Sequence, residues 1–233
     1  MLNISKLQCQ RHHQHFSYSL EVKPGEVVAL LGASGSGKST LLELISGFVQ
    51  ASSGSLSWQN EDLLTLPINQ RPVTSLFQQH NLFHHLSLKQ NIALGISQQL
   101  KLSAAHLQQV TEIADNLGIS SILDKRPDQV SGGQQQRAAL ARCLIRHRPI
   151  LLLDEPFSAL DPMLRQECLE LVKQLAEQYQ LAVLMVTHQW QDALRVAQRV
   201  AFIEQGKTQQ FASLKQLEQS PANQHIAHYL ACS

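Results

Sequence analysis

Gly32-Ala33-Ser34-Gly35-Ser36-Gly37-Lys38-Ser39-Thr40 reads G-x-x-x-x-G-K-S, the pattern of a phosphate-binding loop. The apolar run Val27 to Leu31 before it predicts a buried strand. After it, Leu41, Leu42, Leu44 and Ile45 fall at helical spacing. This strand–loop–helix context separates a working motif from a chance match. Gly32, Gly35 and Gly37 allow positive φ, which turns backbone N–H groups toward phosphate oxygens. A helix starting near Lys38 adds the positive end of its dipole. In this reading Lys38 neutralises the β- and γ-phosphates. Ser39 supplies a hydroxyl ligand to Mg²⁺, and Thr40 adds a phosphate contact. The competing reading is a Gly/Ser-rich turn with no ligand.

Downstream lie two more stretches with chemistry in them. Val130-Ser131-Gly132-Gly133-Gln134 leads into a segment rich in Ala, Leu and Arg. A serine and two glycines at a helix start make a second anion nest. One nucleotide tail hardly needs two cradles from one chain, so the pair points to two chains head to tail, each lending its second cradle to the other. Ile150-Leu151-Leu152-Leu153 then reads as a strand buried on both faces, ending in Asp154-Glu155. Successive strand side chains diverge, so the two carboxylates have separate tasks. Asp154 is placed to hold Mg²⁺ and Glu155 to accept a proton from an attacking water. Asp161-Pro162 reads as an N-cap and first helical residue, with the helix running to Gln178. A further buried strand, Leu181 to Val186, delivers His188 to its carboxyl end. The strand Val73 to Phe77 does the same for Gln78. Carboxyl ends of strands are where α/β sheets bind ligands.

The 233 residues suffice for one large domain with a sizeable core. Lys plus Arg number 19 against 18 for Asp plus Glu, so the basic field that nucleic-acid binding usually needs is missing. No apolar run is long enough to span a bilayer, and no signal peptide is expected. Cys9, Cys143, Cys168 and Cys232 show no C-x-x-C spacing and are expected to be reduced thiols. His12, His13 and His15 invite a metal reading, but lack an acidic or cysteine partner nearby, which favours a polar hairpin between strands Leu2–Leu7 and Phe16–Val22. Asn60 to Gln70 is read as a loop, and Ser103 to Leu117 as an amphipathic helix. The tail from Arg199 reads as strand, Gly206 turn, short strand and two small helices, with Ser220-Pro221 as a helix start. Its sequence offers no chemistry.

Together these pieces resemble the ATP-binding subunits of ABC transporters over essentially the whole chain. The family's phosphate loop, glutamine loop, signature, acidic strand with catalytic glutamate, dimer-contact loop and switch histidine match Gly32–Thr40, Gln78, Val130–Gln134, Asp154-Glu155, Ser158–Asp161 and His188, in the family's order. The signature departs from its usual L-S-G-G-Q only in Val130.

The resemblance implies an α/β phosphate-loop NTPase core, a mixed sheet flanked by helices, with an antiparallel β subdomain and an inserted helical subdomain. The division expected is a core of about 1–86 and 149–233, with helices over about 87–148. It also implies ATP and Mg²⁺ as ligands, with Gln78 joining Ser39 and Asp154 at the metal. The implied assembly is a homodimer closing on two nucleotides, docked on integral-membrane permease subunits at the cytoplasmic face of a bacterial inner membrane.

Arg71-Pro72-Val73, Asn81-Leu82-Phe83 and His85-Leu86-Ser87 look like the importer ATPases of the polyamine, iron and thiamine group. These act with a periplasmic binding protein. Ala141-Arg142-Cys143-Leu144, Pro156 to Pro162 and Leu164-Arg165-Gln166-Glu167 look most like the thiamine importers within it. An iron, polyamine or sulfate importer is the nearest rival. ATPases of DNA repair or translation are tandem or carry long coiled coils, and this chain has no heptads. A phosphate-loop kinase or GTPase is disfavoured by the second nest and by the absence of N-K-x-D.

One family feature is broken. The adenine usually stacks on an aromatic between the first two strands, yet no Tyr, Trp or Phe lies between Leu2 and His15. Arg11, ahead of His12, is the expected replacement, because a guanidinium also stacks on a flat ring.

Overall fold

The structure is a computed structural model and describes residues 1–11, 13–76, 82–97 and 102–232. The strands are β1 (Leu2–Arg11), β2 (Gln14–Val22), β3 (Val27–Leu31), β4 (Ser53–Trp58), β5 (Glu61–Asp62), β6 (Val73–Leu76), β7 (Ile150–Asp154), β8 (Ala182–Val186), β9 (Arg199–Glu204) and β10 (Lys207–Ser213). The α-helices are α1 (Lys38–Ser46), α2 (Leu88–Ala93), α3 (Ala104–Asn116), α4 (Gly132–Leu144), α5 (Pro162–Gln178), α6 (Trp190–Val196), α7 (Leu214–Gln219) and α8 (Gln224–Cys232).

One ten-stranded sheet runs in the order β5-β4-β1-β2-β10-β9-β3-β8-β7-β6. Strands β9, β3, β8, β7 and β6 are parallel to one another, β10 joins them antiparallel to β9 and parallel to β2, and β2, β1, β4 and β5 form an antiparallel wing. The parallel half is buried on both faces, which explains its unbroken apolar runs. Alternation divides each run between two cores. Val27, Ala29 and Leu31 of β3 join Leu151, Leu153, Val183 and Met185 in a core capped by α2 to α6. Val28 and Leu30 join Ile150, Leu152 and Leu184 with Leu41, Leu44 and Ile45 of α1 and the inner face of the antiparallel wing.

Helix α1 is closed by a residue from a distant loop. Arg71 is buried and donates to the carbonyls of Leu44 and Ile45, at 2.7 and 2.9 Å. It satisfies acceptors left over at the helix end and complements the dipole there. Helix α5 is capped as its sequence predicts. Asp161 accepts from the N–H groups of Met163 and Leu164, each at 3.1 Å, with Pro162 in the first turn.

Several sequence-based boundaries need correction. The first two strands extend to Arg11 and from Gln14, so most of the polar segment belongs to the sheet, with cross-strand pairs Gln10 to His15 and Arg11 to Gln14. The segment 60–70 contains the short strand β5, paired through Trp58 with Glu61. Ser220-Pro221 does not open the last helix, which starts at Gln224. Asn223 accepts from the Ile226 N–H at 2.9 Å and caps it. Phe77, Gln78 and His12 lie outside the described residues. Cys9, Cys143 and Cys168 are free and buried. Burial pushes the Cys143 and Cys168 thiols up to about 11, away from the reactive thiolate. Among the described residues no group of three or more His, Cys, Asp or Glu clusters to hold a metal.

Candidate nucleotide site

The loop between β3 and α1 is shaped by what presses on it. Gly32 has φ +141°, and a Cβ there would stand 2.0 Å from the Ile203 carbonyl oxygen on β9. Gly37 has φ +107°, and its Cβ would meet the Tyr18 hydroxyl at 2.8 Å and the Phe16 ring at 2.9 Å. Only glycine fits either place. The buried Tyr18 hydroxyl donates to the Gly37 carbonyl at 2.7 Å, fixing the residue before the helix. Burial raises the Tyr18 hydroxyl's pKa, so it stays protonated as a donor. The Gly206 N–H donates to the Ser36 carbonyl at 2.8 Å from the turn between β9 and β10.

Lys38 is buried and donates from Nζ to the carbonyls of Gly32 and Ala33, both at 2.8 Å. Burial lowers its pKa, and the carboxylates of Glu155 and Asp154 act in the opposite sense. The ammonium therefore sits inside its own loop, facing two acids. Asp154 accepts a hydrogen bond from the Ser39 hydroxyl, which favours its charged form. Burial is the larger influence, and with the nearby Glu155 charge it raises the Asp154 pKa. Such a carboxylate gains most from a cation.

Glu155 follows at the strand's end in a left-handed conformation, φ +46°, with its N–H donating to the Val186 carbonyl at 3.2 Å. Its carboxylate meets Nε2 of His188 in a short hydrogen bond. The His188 segment is anchored below. The Thr187 hydroxyl donates to Asp192 at 2.7 Å, and Asp192 pairs with Arg165 at 2.5 Å.

Phe16, Ser34, Gly35, Gly37, Lys38, Ser39, Thr40, Glu155 and His188 thus line one cavity of about 180 Å³. The residues suit a nucleotide's phosphates with Mg²⁺. The loop's backbone is open where a Cβ would block it, the buried Ser36 hydroxyl has no partner, and a hydroxyl and a carboxylate from Ser39 and Asp154 make an all-oxygen set.

The second nest is elsewhere. Ser131 caps α4 by accepting from the Gln134 N–H at 3.4 Å, and the Gln134 side-chain oxygen accepts from the Ser131 N–H at 3.1 Å. Gly132 and Gly133 let the helix start approach Leu160 and Leu164. No residue of Ser131–Gln134 lines the cavity at the phosphate loop. Arg11 is held in an ion pair with Glu43 of α1. Sequence reading missed Tyr18, Arg165 and Asp192, whose roles follow from contacts across the fold. The alternation of β2 marks Tyr18 as inward-facing, but nothing in the sequence joins it to residue 37.

The ABC transporter family matches residues 16–158, from β2 past the acidic strand to Ser158. This chain belongs to the ABC transporter family. Family proteins similar to it include the thiamine import ATP-binding protein ThiQ of Vibrio cholerae, 46% identical over 233 residues, covering 100% of this chain and 98% of that protein. The ThiQ of Yersinia pseudotuberculosis is 52% identical over 207 residues, covering 89% of this chain and 88% of that one. Among solved structures, a dimeric post-hydrolysis state of the ATP-binding cassette MJ0796 bound to ADP and Pi aligns with TM-score 0.76 at 27% identity. It covers 92% of this chain and 99% of that one. ATP binding is thus a property of the family.

Proposed function

We propose that this chain is the ATP-hydrolysing subunit of a binding-protein-dependent ABC importer, and that the imported substrate is thiamine or its phosphates. The observation that carries the reading is the near full-length likeness to thiamine import ATPases, 46% identity over 233 residues, in a chain whose phosphate loop, Glu155 and His188 share one cavity.

The phosphate loop, Gly32 to Thr40, holds the nucleotide's phosphates with backbone N–H groups and Lys38. Ser39 and Asp154, joined by Gln78, would hold Mg²⁺, which supplies charge neutralisation on the phosphates. Glu155 accepts the proton of the attacking water, and His188 holds the Glu155 carboxylate and faces the terminal phosphate. Ser131 to Gln134 serve the nucleotide of a second copy, so the working unit is a homodimer with two shared sites. The neighbour solved as a dimer with ADP and Pi supports that arrangement. No described helix is long and apolar enough to cross a membrane. Separate permease subunits at the cytoplasmic face of the inner membrane would provide the path, fed by a periplasmic binding protein.

Uptake by cells tests the substrate. Deleting the gene should abolish accumulation of labelled thiamine, with restoration by the parent gene and not by Glu155→Gln. Undiminished thiamine uptake with impaired uptake of iron, a polyamine or sulfate would replace thiamine by that substrate and leave the importer reading intact.

A further inference from the structure

The C-terminal helix, silent in the sequence, reaches the hydrolytic centre at one point. Helix α8 is seated by the buried Ile226 and by the ring of Tyr229, which stands edge-on to Phe202 with centroids 5.2 Å apart and planes at 82°. Phe202 is paired in the sheet with Leu31, the last residue before the phosphate loop. Beside these contacts a cavity of about 1020 Å³ separates the helix from Ala33 to Ser36. Past it, the Tyr229 hydroxyl donates to the backbone carbonyl of His188 at 2.9 Å. Gly32 lies close enough to influence the same hydroxyl electrostatically.

We propose that Tyr229 is a positioning residue for hydrolysis: from the C-terminal helix its hydroxyl holds the backbone of His188, and so holds the imidazole against Glu155. The inference rests on the roles proposed above for Glu155 and His188. Its physical basis is a segment fixed from two sides. Thr187 is tied through Asp192 to Arg165 on α5, which fixes the segment from the α5–α6 side. His188 itself is exposed, and its carbonyl has the Tyr229 hydroxyl as partner. An imidazole on an exposed backbone samples several positions, and one hydrogen bond at its own residue narrows them. Burial raises the Tyr229 hydroxyl's pKa, so it remains a donor across the working pH range. Tyr229 touches no reacting atom, so it acts through His188.

The test uses the purified full chain and Mg·ATP. Tyr229→Phe keeps the ring on Phe202 and removes the hydrogen bond to the His188 carbonyl. Turnover at saturating ATP should fall about fivefold, the worth of one hydrogen bond expressed at the transition state. The KM for ATP should stay within about twofold, since the phosphate contacts remain. In a His188→Ala background the same change should cost nothing further, because the residue it positions is gone. Glu155→Gln is the control. If it is inactive while Tyr229→Phe turns over like the parent, the positioning role is overturned and the reading of the site stands. If Glu155→Gln stays active, the reading of the site falls and this inference with it. A Tyr229→Phe chain that loses ATP affinity as much as turnover, or loses fivefold again in the His188→Ala background, shows a general packing role and also overturns the proposal.

Discussion

Two helix starts in this chain carry the same kind of cradle and have been finished differently. At Gly37-Lys38 the cradle is enclosed. Strands on both sides close on its backbone, Lys38 is buried in its own loop near Asp154 and Glu155, and Glu155 and His188 line the same cavity from neighbouring strand ends. At Ser131-Gly132 the cradle is open. Ser131 and Gly132 are exposed, and the serine hydroxyl is engaged in capping its own helix. The first gathers the phosphate loop, Glu155 and His188 of a single chain around one cavity. The second lies outside that cavity, and its serine serves its own helix. An anion nest becomes a reaction centre only where the sheet brings other strand ends to it.

Breaking each cradle in turn should separate the two most sharply. Lys38→Ala should abolish detectable ATP binding and turnover by the chain alone, because it removes the buried cation that faces the phosphates. Ser131→Arg should lower turnover at least 100-fold while ATP binding by the single chain stays within about threefold, since the nest is not part of that chain's own pocket. Equilibrium binding of ATP and steady-state hydrolysis measure both. Mixing the two variants places both lesions in one composite site and leaves the other whole. Failure to detect a heterodimer with one competent ATP site would break the comparison.

Stability sharpens it further. Asp154 has its pKa raised, chiefly by burial. A raised folded-state pKa means the carboxyl's favourable contribution is full below the unfolded value and is lost as pH rises through the folded one. At neutral pH its charge therefore opposes folding. Asp154→Asn, which keeps a side-chain oxygen beside Ser39, should raise the unfolding midpoint of the nucleotide-free chain by a few degrees at pH 7 while abolishing turnover. The gain should shrink as pH falls through the raised pKa. Thermal unfolding at several pH values checks this, and an Asn chain that melts lower than the parent at pH 7 contradicts it.

The smallest expected effect lies at the rim. Arg11 pairs with Glu43, and both side chains are partly exposed, so the ion pair contributes only ~0.2–1 kcal/mol. Arg11→Ala should weaken ATP binding by about twofold to fivefold, with GTP affected alike, if the guanidinium swings from Glu43 to the base. A change below about twofold leaves the base without an Arg11 platform.

The local pieces of this protein were legible in the chain because each is written in consecutive residues. Gly32 to Thr40 states a loop whose glycines and lysine have one use in common. The apolar runs at Val27, Ile150 and Ala182 state a parallel sheet, and Asp161-Pro162 states a helix start. Those signals depend on backbone conformation and short-range periodicity, which neighbouring residues set. What converges on them is another matter. Tyr18 against Gly37, Ile203 against Gly32, Arg71 on the end of α1 and Tyr229 on His188 join residues 19 to 171 positions apart or cross the sheet from strand to strand. The strand order that interleaves β9 between β10 and β3 is decided by which faces bury together. No pattern of neighbours encodes it, because burial is a property of the assembled sheet. The sequence alone determined that this chain cradles a phosphate and has acids at hand. Only the tertiary structure decided how the loop is closed and which distant hydroxyls hold it, since a hydrogen bond between remote segments exists only after the core has brought them together.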